Sequence, residues 1–148
     1  MTHTLLLCAA LLPAAADQAP ADASDLAKMQ GDWRTVSVIE SGTKLADDEA
    51  QTLFRTVSGN KYSLFRFSKP LTRGTFKIDA TKRPKTIDVM PTASKGPAKP
   101  ILGIYEFNGT SLWICNARPG KPRPADFEPK LGSGNSRVVW EPDRKSVV

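Results

Sequence analysis

Two apolar runs joined by Asn108-Gly109 constrain this chain more than any other stretch. Ile-Leu-Gly-Ile-Tyr-Glu-Phe precedes the pair, from Ile101, and Thr-Ser-Leu-Trp-Ile-Cys-Asn follows it, to Asn116. Asn-Gly between such runs is the strongest short-range signal for a β-hairpin. A type I′ turn needs positive φ at both central residues, and Asn and Gly tolerate it best. Such a turn sets Phe107 opposite Thr110, Tyr105 opposite Leu112 and Gly103 opposite Ile114. One face then carries Gly103, Tyr105, Phe107, Leu112 and Ile114. The other carries Leu102, Ile104, Glu106, Ser111, Trp113 and Cys115, with Glu106 facing Ser111 beside the turn. With the first face inward, the apolar residues of the second need a cover, because a continuous apolar run reads as a strand buried on both sides.

The other strands are short and follow one another closely. Residues 32–40 hold β-branched Thr35, Val36, Val38 and Ile39, and their broken alternation predicts a bend or bulge. Residues 53–57, 62–67, 73–79, 86–90 and 137–141 read as further strands. Ser41-Gly42-Thr43 and Ser58-Gly59-Asn60 are turns, and Lys69-Pro70 ends the third strand. Residues 73–79 and 86–90 form a clean amphipathic pair. Phe76, Ile78, Ile87 and Val89 share one face, and Thr75, Lys77, Thr86 and Asp88 the other. Two short helices are expected, one over residues 25–29 behind a Ser24 cap and one over residues 47–52.

Residues 1–16 read as an export signal. Leu5 to Leu12 is an apolar core too short to span a bilayer, and Ala14-Ala15-Ala16 supplies the small-residue cleavage pattern. No other apolar run is long enough for a membrane span. Leu7 before Cys8 argues against a lipid anchor there. Cleavage leaves Cys115 as the one thiol, and its apolar strand predicts burial. The expected division is therefore a signal peptide (1–16), a flexible N-terminus (17–24), one barrel domain (25–141) and a tail (142–148), exported to the periplasm or the extracellular space. The 148 residues suit one domain, and the net charge of +6 favours loose contact with anionic surfaces.

Eight sequential antiparallel strands predict an all-β fold, a single up-and-down barrel that closes to remove its edges, with a β-sandwich as the alternative. An eight-stranded barrel is filled by side chains or just holds a small ligand. Trp33, Phe76, Ile78, Ile87, Val89, Tyr105, Leu112 and Ile114 are the expected interior and candidate ligand lining. Trp33 is the natural plug of one end, shared with the Asn108-Gly109 turn. Residues 117–134, dense in proline and glycine, form a long loop at the opposite, open end. Lys121 and Arg123 are candidates for a basic rim of that mouth. The alternative is that Phe127 folds the loop over Trp113 and Cys115 as a structural cover.

Several segments together resemble a family of exported, lipocalin-like domains of uncharacterised role expanded in planctomycete bacteria. The pieces are Gln30-Gly31-Asp32-Trp33, Gly74-Thr75-Phe76-Lys77-Ile78-Asp79 and Pro84-Lys85-Thr86-Ile87-Asp88. Gly103-Ile104-Tyr105-Glu106-Phe107, Leu112, Cys115, Pro119-Gly120-Lys121-Pro122-Arg123-Pro124 and Gly132-Ser133-Gly134 follow in order. The resemblance spans residues 26–140 and implies a lipocalin-like β-barrel and export, without an activity. Gly31-x-Trp33 also resembles the first lipocalin signature, in which an arginine near the last strand often covers the tryptophan. Arg137 is the residue the resemblance offers for that place.

No catalytic set emerges from the residues. His3, the only histidine, lies in the expected leader, leaving none for a Ser-His-Asp or Cys-His arrangement or a zinc cluster. Asp47-Asp48-Glu49 lacks the spacing of a calcium loop and suits a helix start. Asp79 and Asp88 read as surface acids near Lys77 and Lys85. The basic loop comes without a nucleic-acid motif or interleaved aromatics. Asn108-Gly109-Thr110 matches a glycosylation sequon but is explained by the turn. The expectation is a non-enzymatic module for a small apolar ligand or a protein partner, without cofactor or metal. A fully packed structural or interaction barrel is the alternative, and an enzyme the last choice.

Overall fold

Alternating apolar residues and tight turns give a chain of short antiparallel strands. The computed structural model describes residues 20–92 and 96–144. Within them run α1 (Pro20–Lys28), β1 (Gly31–Glu40), β2 (Thr43–Lys44), α2 (Asp47–Ala50), β3 (Leu53–Ser58) and β4 (Lys61–Arg66). β5 (Lys69–Asp79), β6 (Lys85–Pro91), β7 (Ile101–Asn108), β8 (Ser111–Asn116) and β9 (Ser136–Pro142) complete them. Apart from the two-residue β2, each strand pairs with its sequence neighbour, and β9 pairs back onto β1. That last pairing closes an eight-stranded up-and-down barrel of the lipocalin-like kind and rules out the sandwich. No helix among the described residues is long and apolar enough to cross a membrane. The expected leader, with His3 and Cys8, lies outside the described residues, as do residues 93–95 and 145–148.

The Asn108-Gly109 hairpin forms, but its loop sits one residue later than the type I′ reading places it. Asn108 pairs with Ser111, Phe107 with Leu112, Tyr105 with Ile114, and Glu106 with Trp113. The loop residues are Gly109 and Thr110, and only Gly109 has a positive φ, 61°. Glycine at the first central position is the type II′ choice, so Asn108 stays in the strand. There its Nδ2 donates to Glu106 Oε1 at 3.0 Å. Each expected pairing is displaced by two residues. Two is a full strand period, so every side chain keeps its expected face.

Other corrections are local. β1 carries the expected bulge: its register on β9 shifts between Thr35 and Ser37, and Val36 is left exposed. Lys69 and Pro70 open β5 instead of closing β4, because Phe67 and Ser68 make the turn with φ of 49° and 61°. A β-bulge at Leu71 then absorbs the extra residue. α1 begins at Pro20, inside the stretch read as flexible, since proline is welcome in the first turn of a helix.

The strand order fixes the two ends. Gly31 pairs with Val57 and Trp33 with both Arg55 and Pro142. The start of β1 therefore shares its end with the β3–β4, β5–β6 and β7–β8 connections. The β4–β5 turn, the last residues of β6, the first of β7 and the long loop 117–135 lie at the other end. Buried Trp33, Val57, Tyr62, Phe76, Ile78, Ile87, Val89, Tyr105, Leu112, Ile114 and Trp140 form one core with Met29.

Candidate functional site

α1 seals the Trp33 end through polar contacts. The Trp33 indole Nε1 donates to the Met29 carbonyl at 2.8 Å. Asp22 Oδ1 accepts from the Ala80 amide at 2.6 Å. Gln30 brackets Gly59, accepting from its amide at 2.7 Å and donating to its carbonyl at 3.0 Å. Asp25, 4 % exposed, takes the Tyr105 hydroxyl at 2.8 Å and Lys85 Nζ at 2.7 Å on one carboxylate oxygen. Burial pushes that carboxyl up. Hydrogen bonds from Lys85 and Tyr105, with the charges of Lys85 and Lys28, outweigh it and leave the carboxyl below its ordinary value. Burial and the Asp25 partner push the Tyr105 hydroxyl far above its ordinary value. Every one of these groups has a partner, so this end is a closed structural plug.

Toward the opposite end the interior holds a hollow. A cavity of about 280 Å³ is bounded by Leu64, Val89, Ile101, Ile114, Val138 and Trp140. Pro91, Asn116 and Ser136, at strand ends beside the mouth, edge it; Thr72, Tyr62 and Arg55 complete its lining. Its volume lies just under the range usual for ligand pockets, about 300 to 1,000 Å³. Of the eight residues expected to line a ligand, Val89 and Ile114 reach the hollow. Trp33, Phe76, Ile78, Ile87, Tyr105 and Leu112 pack against one another in the buried core. A larger concavity of about 560 Å³ sits on the outer side of β1. There Arg34 and Glu141 already neutralise each other at 3.1 Å.

Arg55 is the residue that sequence reasoning missed. It lies between Leu53 and Val57 on β3, so strand alternation turns it inward, opposite Trp33. It is 5 % exposed, and its guanidinium carbon stands 5.7 Å from the Tyr62 ring and 5.4 Å from the Phe76 ring. Among the described residues it forms no ion pair, and its Nε has no hydrogen-bond partner. Burial pushes its pKa down to about 10, which leaves it protonated at neutral pH. Burial also raises the Tyr62 hydroxyl, against a hydrogen bond with Thr72 and the Arg55 charge. An arginine at an inward strand position was the available signal.

Of the two residues expected at a basic rim, Arg123 is engaged on the barrel wall. Arg123 lies against the outer face of β6 and β7, paired with Asp88 at 2.7 Å and donating to the carbonyls of Gly103 at 2.7 Å and Ile87 at 3.3 Å. Lys121 is solvent-exposed. The loop runs on so that the Phe127 carbonyl accepts from Arg137 at 2.9 Å. It follows the outer surface because proline-rich backbone cannot join the sheet and Asp88 and two carbonyls there hold Arg123. Arg137 is likewise on the outer face, over the Trp113 ring at 4.8 Å, and far from Trp33. The β9 register places it opposite Ile39 and Cys115, at the mouth end. Cys115 is fully buried, and burial pushes its thiol up to about 11.

No protein-family model, no curated protein and no solved structure matches this chain.

Proposed function

We propose that this chain is an exported, non-enzymatic, lipocalin-like barrel that binds one small, largely apolar molecule in the open half of its interior. The half-hollow barrel carries this reading. A purely structural barrel would be filled from end to end, as the sealed half is. The hollow is walled by Leu64, Val89, Ile101, Ile114, Val138 and Trp140, so an apolar guest leaves water at a gain of about 25 cal/mol per Å². None of residues 117–135 lines the hollow, and Arg123 and Arg137 hold that loop against the outer face. Export is supported by the leader-like residues 1–16. Membership of the planctomycete-type family is supported by the ordered segments from Gln30 to Gly134.

Thermal unfolding with octan-1-ol as the probe tests the reading. A guest that binds only the folded state raises the melting temperature with concentration. Ile101→Trp, which fills the hollow, should abolish the rise. An octanol-independent melting temperature, or a rise of equal size in Ile101→Trp, contradicts binding in the barrel.

A further inference from the structure

We propose that the molecule taken into this hollow is a small amphipathic acid, with its carboxylate received by Arg55 and its apolar body directed toward the mouth. This rests on the ligand-binding reading above and adds the chemical class of the ligand.

A buried guanidinium without an anion is costly, and buried charges are ordinarily paired and hydrogen-bonded. Arg55 is 5 % exposed, yet its contacts are two aromatic rings, Tyr62 and Phe76. Ring faces stabilise the cation and hold the guanidinium in place, but they accept none of its strong hydrogen bonds. Its Nε is unpartnered. The guanidinium fork matches a carboxylate in a two-pronged pair, and a prepositioned fork gives up little freedom on forming it.

Position makes the match specific. Arg55 borders the hollow where the packed half begins, as the inward neighbour of Trp33 and within reach of Phe76. The walls between it and the mouth are Leu64, Val89, Ile101, Ile114 and Val138. A ligand entering acid first therefore meets the one cation buried among the described residues, at the floor, and apolar side chains along its body. The limited volume favours a short chain.

The surrounding wall carries the same sign. Residues 53–78 contain Arg55, Lys61, Arg66, Lys69, Arg73 and Lys77, and no Asp or Glu. Those six charges equal the whole net charge of +6, so the rest of the chain is balanced. Arg66 shares the inward face of β4 with Tyr62 and Leu64, nearer the mouth, and its Nε is also unpartnered. Of the six, Arg66, Lys69 and Arg73 lie at the mouth end of β4 and β5, and their field draws anions toward the opening.

Isothermal titration with octanoate and octan-1-ol, which share a body and differ in the head, tests the inference on wild type and Arg55→Met. A charge-assisted pair at a buried site should make octanoate bind about ten- to a hundredfold more tightly than the alcohol. In Arg55→Met that preference should vanish while octanol binding persists. Arg55→Met is expected to fold, since it removes an unpaired buried charge. The wild-type comparison also stands without it. Equal affinities for acid and alcohol in wild type overturn the acid assignment and leave the hollow as an apolar site. Absence of binding by either overturns the ligand-binding reading and the acid assignment together.

Discussion

The Tyr105 hydroxyl donates to the Asp25 carboxylate at 2.8 Å, joining a strand of the barrel wall to the helix that plugs its end. The pair is buried, and Lys85 shares the same carboxylate oxygen. Tyr105→Phe should therefore cost about 1.5 to 3 kcal/mol, the scale of a hydrogen bond to a charged group. Asp25→Ala should cost more, because it strands both Tyr105 and Lys85. Urea unfolding of the two variants checks the order.

The same network gives a pH signature. The Asp25 carboxyl is held below its ordinary value in the folded chain, so its stabilising effect is fully present above the ordinary carboxylate range. That effect is lost as pH falls through the lowered folded value. The Tyr105 hydroxyl is raised, so its contribution is present below about 10 and is lost as pH climbs beyond that. The stability gap between wild type and Asp25→Asn should be constant near neutrality and shrink in acid. A gap that widens below about pH 4 contradicts the assignment.

Arg123 ties the long loop to Asp88 and to the carbonyls of Gly103 and Ile87. Arg123→Ala should lower stability by about 1 to 3 kcal/mol and leave affinity for a ligand of the barrel unchanged. A loss of affinity without loss of stability would return this loop to the mouth.

Cys115 is fully buried and its thiol is pushed up to about 11, so the reactive thiolate is scarce at neutral pH. A thiol reagent should label it only after denaturant is added. Rapid labelling of the folded protein would show an accessible strand β8.

The barrel was legible because period-two patterns and turn residues are local. The faces of Phe76 and Lys77, and of Ile87 and Asp88, follow from alternation alone, and the structure keeps them. Even the misplaced Asn108-Gly109 loop preserved them, since its error was a whole strand period. What local pattern cannot show is depth along the barrel axis. Val89 and Ile87 share a face, yet one borders the hollow and the other is packed solid. Nor can it show partners across the fold. Asp25 on α1 finds Tyr105 on β7, and Arg137 finds Trp113 instead of Trp33 because β9 registers it beside Cys115, at the mouth end. Arg55 was overlooked because a charged side chain on a strand is ordinarily assigned to the solvent face.

Methyl chemical-shift mapping during an octan-1-ol titration tests the occupied hollow most directly. Saturable shifts are expected at Val89, Ile101, Ile114 and Val138, with Ile78, Ile87 and Leu112 in the packed half unmoved. Shifts confined to the packed half or to the outer face, or no saturable shifts at all, would contradict an occupied hollow.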